Sequence, residues 1–233
     1  MIANFRAIFF DAGGTLFHPH PSVGEIYQEV ALRYGCRADA EEIEKKFREV
    51  WSHRNGLTSL VGHSNEKAER DWWHHLVRET FAPFPPIKDF GAFFDELYNR
   101  FAEPSSWRLY PEAREVLAAL KKSGKILGIV SNWDSRLFQL CRGLEVENHF
   151  EFILASAVFG ASKPNPKIFE EAVRRSGFSP RDAVHIGDSL EDDIQGARRA
   201  GIQAVWIHCH SGPAPGAFIK EVPVISDLRE LLA

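Results

Sequence analysis

Three cysteines in 233 residues, Cys36, Cys141 and Cys209, are too few and too far apart for a disulfide framework. Their odd number argues for free thiols in a reducing compartment, and cytoplasm is the expectation. No apolar run approaches the ~20 residues that a transmembrane helix needs. Neither sign of charge dominates: 28 Lys and Arg against 32 Asp and Glu leave a formal net charge of -4. That balance makes no electrostatic case for nucleic acid or an acidic membrane as a partner. Internal repeats and low-complexity segments are absent, and Met1 to Arg6 leads straight into a strand pattern, with no room for a signal peptide.

What is present is an ordinary globular composition, 44% hydrophobic and 26% charged. The length suffices for one large domain or a core with an insert. The organising stretch is Ala7-Ile8-Phe9-Phe10-Asp11-Ala12-Gly13-Gly14-Thr15-Leu16-Phe17. A short apolar run ending in one acid reads as a strand buried on both faces, with the acid at its carboxyl end, where open α/β sheets bind ligands. An acid so placed serves as a nucleophile, a metal ligand or both; a plain strand-ending turn is the alternative.

Beyond it the period turns helical from about Ser22 to Phe101, with an apolar stripe of Val23, Ile26, Tyr27, Val30 and Ala31 and another of Ile43, Phe47, Val50 and Trp51. Further helices are predicted over Glu66 to Phe81 and Phe90 to Phe101. From Trp107 onward helices and strands alternate: helices at Pro111 to Ser123, Ser135 to Leu144, Pro166 to Ser176, Glu191 to Ala200 and Leu228 to Leu232, and strands at Ile126 to Val130, Phe152 to Leu154, Val184 to Ile186 and Ala204 to Ile207. This order predicts a doubly wound parallel α/β sheet of residues 1–17 and 107–233, with residues 18–106 inserted as a helical cap. The boundaries are expected in the loop His18-Pro19-His20-Pro21 and in Glu103-Pro104-Ser105-Ser106.

Three later stretches join the first. Ile129-Val130-Ser131-Asn132 ends a strand in a hydroxyl. Ala161-Ser162-Lys163-Pro164-Asn165-Pro166 sets a lysine before a helix, and His185-Ile186-Gly187-Asp188-Ser189-Leu190-Glu191-Asp192-Asp193 ends a strand in acids. In this order, across residues 7 to 201, the four resemble the motifs of the haloacid dehalogenase-like hydrolase superfamily, most of them phosphatases. The resemblance implies Asp11 as nucleophile and Mg²⁺ ligand, with Asp188, the Gly13 carbonyl and Asp193 completing or supporting the metal site. It implies Ser131 and Lys163 as holders of phosphate oxygens, with Thr15 and Asn132 beside the substrate, a small phosphorylated metabolite. Asp192 reads equally as a solvated helix residue.

One position departs from that family. Its phosphatases carry Asp-x-Asp-Gly-Thr, whose second acid protonates the leaving group, and here that position is Gly13. General acid catalysis contributes about 10²–10⁴-fold, so the first reading is a phosphatase for good leaving groups, with His18 or His20 as a substitute acid. A second is a 2-haloacid dehalogenase, whose turn looks like Asp-Ala-Tyr-Gly-Thr-Leu-Phe and which holds its substrate carboxylate with an arginine; Arg33 and Arg37 are candidates only by proximity. A third is a binding or regulatory protein on a degenerate scaffold. His208-Cys209-His210 reads as a strand end, Trp72-Trp73-His74-His75 as cap interior, and Gly212 to Gly216 as a surface loop. Phe90, Phe93, Phe94, Tyr98 and Phe101 read as core, some of them facing the cleft beneath the cap.

Overall fold

A computed structural model describes residues 2–54, 64–208 and 222–233. Cys209, His210 and the loop expected at Gly212 to Gly216 lie outside the described residues. Its strands are β1 (Ala7–Phe10), β2 (Phe17–Pro19), β3 (Trp107–Leu109), β4 (Ile126–Ser131), β5 (Phe152–Ala155), β6 (Ala183–Gly187), β7 (Gln203–Ile207) and β8 (Val224–Ile225). Six form one parallel sheet in the order β5-β4-β1-β6-β7-β8, so the first strand is central.

The alternation of side chains along β1 explains why the sheet is covered twice. Ile8 and Phe10 pack with Val116, Leu117 and Leu120 of the helix Ala113–Lys122, and with Leu137 and Cys141 beyond it. Ala7 and Phe9 pack on the opposite face with Ile168, Phe169 and Ala172. All four β1 side chains are fully buried. This is the doubly wound α/β arrangement.

Between β2 and β3 run helices α1 (Val23–Arg33), α2 (Ala40–His53), α3 (Glu66–Phe81) and α4 (Phe90–Arg100). Each begins at a side-chain cap: Ser22, Asp39, Asn65 and Asp89 accept hydrogen bonds from the first-turn amides. Their apolar stripes form a separate core around Ile26, Val30, Ile43, Leu76, Phe93 and Leu97. The remaining helices are α5 (Ala113–Lys122), α6 (Arg136–Gly143), α7 (Ser156–Phe159), α8 (Pro166–Ser176) and α9 (Gly196–Arg199). Among the described residues, no helix is long and apolar enough to cross a membrane.

The strands β3 and β8 and the short helix α7 have no counterpart in the sequence-based expectation, and three expected elements take another form. His18 and Pro19 belong to a strand, paired antiparallel with Arg108 and Trp107, and not to a loop; a two-stranded ribbon tolerates the missing proline N–H. The helix expected over Glu191 to Ala200 starts as a π-helix, Leu190–Gln195, before α9. There Ser189 takes over the first turn: its carbonyl accepts from both Asp193 and Ile194, and its hydroxyl accepts from the Asp192 amide. The terminal helix, Leu228–Leu232, is of the tighter 3₁₀ type.

Two buried polar clusters join the inserted helices to the sheet. Asp134 accepts from the Tyr98 hydroxyl at 2.6 Å and from Arg136 at 2.7 Å, and the Arg136 guanidinium stacks 3.5 Å from the Tyr98 ring centroid. Burial alone would raise the Asp134 carboxyl, but Arg136 holds it below the usual carboxylate range. In the second cluster, Glu69 of α3 accepts from Ser64 and, at 2.5 Å, from Ser156 of α7, whose hydroxyl in turn accepts from the Trp133 amide. The other Glu69 carboxyl oxygen has no partner among the described residues, and burial pushes this group up to about 7 against the pull of the two hydroxyls; the charges of Asp134 and Glu66 add to the rise.

A carboxyl lifted from 4.5 to about 7 by folding costs roughly 3 kcal/mol once ionised, at about 1.4 kcal/mol per tenfold change in proton affinity. The folded chain holds this proton while the unfolded chain releases it near 4.5, so stability falls as pH rises through that interval and levels off above about 7. We expect Glu69→Gln to gain on the wild type between pH 5 and pH 8, by up to roughly 3 kcal/mol. Urea melts at the two pH values check this; parallel pH dependence in both proteins would contradict it.

Candidate active site

The sheet register builds the site. Phe10 stands beside Ile129 on one neighbouring strand and Ile186 on the other. The next residue, Asp11, keeps its amide on the Ile186 carbonyl at 2.9 Å. Ser131 at the end of β4 donates its hydroxyl to Asp11 Oδ1 at 2.9 Å. Lys163 Nζ donates to the same oxygen at 2.6 Å and to Asp193 Oδ1 at 2.5 Å. Asp193 is further held by His185 Nε2 at 2.8 Å and by the Ser189 amide at 2.9 Å. Asp11, Ser131, Lys163, His185 and Asp193 are all buried.

Backbone contacts orient the lysine. Asn132 Oδ1 accepts from the Lys163 amide at 2.7 Å, and its Nδ2 donates to the Lys163 carbonyl at 3.0 Å. The Asn132 amide is thus committed to the loop that carries Lys163, although the residue also borders the cleft. Two glycines make room for the acids. A Cβ on Gly187 would lie 2.1 Å from the Asp193 carboxyl carbon, and one on Gly14, whose φ is +83°, would lie 2.4 Å from an Asp188 carboxylate oxygen.

Burial disfavours every charge here, and neighbours decide which charges persist. Lys163 would lose its proton more readily from burial alone, but the carboxylates of Asp11 and Asp193 hold it above the lysine range. Asp193 is raised by burial yet driven below the carboxylate range by Lys163 and His185. Asp11 remains raised, because burial exceeds the pull of Lys163. Asp188 opens onto the cleft by its surface but sits among enough protein to be raised well above its ordinary value, and the charges of Asp11 and Asp193 add to that.

Oxygens of Asp11, Asp188 and Asp193 lie within 4.8 Å of one another. Three carboxylates sharing one ammonium carry excess negative charge, and hard oxygen donors of this kind suit Mg²⁺, which keeps several waters beside a few carboxylates. The residues present fit that ion.

The other candidates are distributed unevenly. Gly13 lines the cleft. Thr15 is fully buried, its hydroxyl has no partner among the described residues, and it is not among the residues that line the cleft. His18 lines the cleft and its Nδ1 meets the Pro19 carbonyl at 2.9 Å; His20 does not line it. Arg33 is on the surface in ion pairs with Glu29 and Glu96, and neither it nor Arg37 borders the cleft. Asp192 borders it, beside the buried Asp193.

Sequence reasoning missed His185, Gly187 and Trp133 as parts of the site. A polar residue between apolar neighbours on a central strand was the available signal for His185. Trp133 had none, since only the fold brings its ring over Gly13, where a Cβ would lie 3.0 Å from it.

A family description, haloacid dehalogenase-like hydrolase, matches residues 5–201. The haloacid dehalogenase-like hydrolase domain-containing protein 3 of Mus musculus is 32% identical over 232 residues, covering 97% of this chain and 92% of that protein. A phosphoserine phosphatase of Thermus thermophilus is 34% identical over 178 residues, covering 76% of this chain and 68% of that protein. Among solved structures, a dehalogenase with an intermediate complex shares the fold at a TM-score of 0.76 and 22% identity, covering 99% of this chain and 97% of that one. The chain belongs to the haloacid dehalogenase-like hydrolase family.

Gly187→Ala is expected to push Asp193 off Lys163 and His185, lowering stability by about 2 kcal/mol or more. Gly91→Ala is the control, because a Cβ there meets nothing closer than 3.5 Å and alanine suits a helix by about 1 kcal/mol. Thermal melts of both variants test this; equal stability would mean that the Asp193 contacts tolerate displacement.

Proposed function

We propose that this member of the haloacid dehalogenase-like hydrolase family is a Mg²⁺-dependent phosphatase acting on a small phosphorylated metabolite in the cytoplasm. The observation that carries this reading is the charge balance at the strand ends, where Asp11 and Asp193 share the ammonium of Lys163 and an oxygen of the cleft-exposed Asp188 lies within 4.8 Å of theirs. Three acids around one ammonium suit a further cation. Residues 1–17 and 107–233 act as the core, and residues 18–106 as a cap that closes over the cleft and shields the reaction from water.

In this reading an Asp11 carboxylate oxygen attacks phosphorus and the leaving-group oxygen departs with its electron pair. Water then hydrolyses the aspartyl-phosphate, releasing phosphate and restoring Asp11. The Ser131 hydroxyl and the Lys163 ammonium turn from Asp11 toward the phosphoryl oxygens and hold them. Asn132 keeps Lys163 in reach through its backbone. Asp11, Asp188 and the Gly13 carbonyl would hold Mg²⁺, with Asp193 supporting the site. When bound, the ion neutralises the repulsion between the phosphate and the acids.

The dehalogenase reading draws on the turn Asp-Ala-Gly-Gly-Thr-Leu-Phe and on the shared fold. Against it stand the third carboxylate and the absence of Arg33 and Arg37 from the cleft lining. The relative named a phosphoserine phosphatase supports hydrolysis of phosphate esters.

The test is hydrolysis of phosphates graded by leaving-group acidity, with and without Mg²⁺. We expect Mg²⁺-dependent turnover that steepens with leaving-group acidity and disappears in Asp11→Asn. Inactivity throughout, with no detectable Mg²⁺ binding, would favour a binding protein, and halide release from 2-haloacids would favour the dehalogenase. Gly13→Asp alone must displace the Trp133 ring, so Gly13→Asp with Trp133→Leu should raise alkyl phosphate turnover more, by about tenfold or above. Equal or absent gains in both variants would argue that more than the proton donor is missing.

A further inference from the structure

The cleft between the acids and the inserted helices has a volume of about 860 Å³, near the upper end of small-molecule sites, roughly 300–1,000 Å³. Much of its wall is aromatic: Trp73 of α3, Phe94 and Tyr98 of α4, Phe101, Trp107 of β3 and Trp133. Trp133, Trp107 and Phe101 form one run of rings, at 5.0 Å and 5.9 Å between centroids, and Phe94 with Tyr98 at 5.6 Å forms a second patch. Such a surface favours flat rings, which stack or meet edge to face.

Charge narrows the ligand further. Among the described residues, the lysines and arginines that line the cleft are Arg48, Arg136 and Lys163. Each is in an ion pair: Arg48 with Glu44, Arg136 with Asp134, and Lys163 with Asp11 and Asp193. Glu191 and Asp192 add negative charge to the same cleft. Among the described residues each cleft cation thus already has an acidic neighbour, so the cleft offers no excess positive charge to a second anionic group on the substrate.

The leaving group is constrained by Gly13. The space above this position is taken by the Trp133 ring, 3.0 Å from where a Cβ would stand, so no acid from the turn reaches the departing oxygen. Without a proton donor at this position, an oxygen that is stable as an anion departs more readily. A phenol, with a pKa of about 10, meets this far better than an alkyl alcohol, which resembles water at about 15.7.

We infer that the substrate is the phosphate monoester of a phenolic hydroxyl on a flat aromatic scaffold, uncharged apart from its phosphate. This rests on the phosphatase reading above. The P–O bond to the ring oxygen breaks as Asp11 bonds to phosphorus, and the phenolate takes a proton from water. A second water cleaves the aspartyl-phosphate, so that ester and water give phenol and inorganic phosphate. Trp133 stands beside the leaving group and selects for the ring.

The test compares an aryl phosphate with a fluorinated alkyl phosphate matched in leaving-group acidity, and includes acetyl phosphate as a substrate with a good leaving group and no ring. In parallel, tryptophan fluorescence follows binding of an arylphosphonate and an alkylphosphonate of equal charge. We expect kcat/KM for the aryl ester to exceed that of its matched partner by about tenfold, and the arylphosphonate to bind tighter by a similar factor. Trp133→Leu should remove most of both preferences, and a carboxylate added to the ring should weaken turnover by about tenfold. Equal rates and affinities for the matched pairs, with acetyl phosphate still hydrolysed, would overturn the inference and leave the phosphatase reading intact. A nucleoside monophosphate as the best substrate would overturn the phenolic assignment. Failure to hydrolyse any phosphate, acetyl phosphate included, would overturn both.

Discussion

Lys163 carries its charge into a place almost without water, and two carboxylates at 2.5 and 2.6 Å make that tolerable. Removing one member of such a buried set leaves an uncompensated charge and costs about 3–5 kcal/mol. The surrounding structure is arranged to keep the three groups together. Asn132 pins the lysine backbone, His185 and the Ser189 amide hold Asp193, and the sheet delivers Asp11. The lysine satisfies two acids and leaves Asp188 to the cleft. That imbalance suits the strand ends to a further cation.

The same site shows how a small residue is used twice over. Gly187 and Gly14 stand back so that Asp193 and Asp188 can occupy space a methyl group would fill. Gly13 stands back for a different neighbour, the ring of Trp133, which continues the aromatic wall formed with Trp107 and Phe101. The position that carries an acid in related phosphatases thus belongs here to the wall of the cleft.

The inserted helices are joined to the sheet through polar contacts as well as apolar ones. Asp134 with Tyr98 and Arg136 forms a satisfied, charged network, while Glu69 is buried with one oxygen lacking a partner among the described residues. The first holds its geometry at any ordinary pH, because Arg136 keeps Asp134 ionised. The second is a neutral acid whose ionisation falls near pH 7, so the seam between the two layers contains one fixed and one titratable contact.

Much of the fold was legible in the sequence because periodicity reports burial directly. Ala7 to Phe10 announces a strand buried on both faces, and the helices over Glu66–Phe81 and Pro166–Ser176 have the predicted bounds. The acids, the lysine and Ser131 were legible too, since each ends a strand or precedes a helix in a parallel sheet. What the sequence determined was therefore the set of groups and the elements that carry them. Only the tertiary structure decided their partners: that Thr15 turns away from the cleft, that Asn132 is tied to the Lys163 backbone, and that Trp133 covers Gly13. It also decided that Arg33 pairs with Glu29 and Glu96 outside the cleft, and that Ser189 draws the chain into a π-helix. The physical reason is range. Strand and helix patterns arise from neighbours a few residues apart, whereas Asn132 with Lys163, Trp133 with Gly13 and Lys163 with Asp11 join residues 31 to 152 positions apart, whose meeting depends on register, crossover and the packing of whole layers.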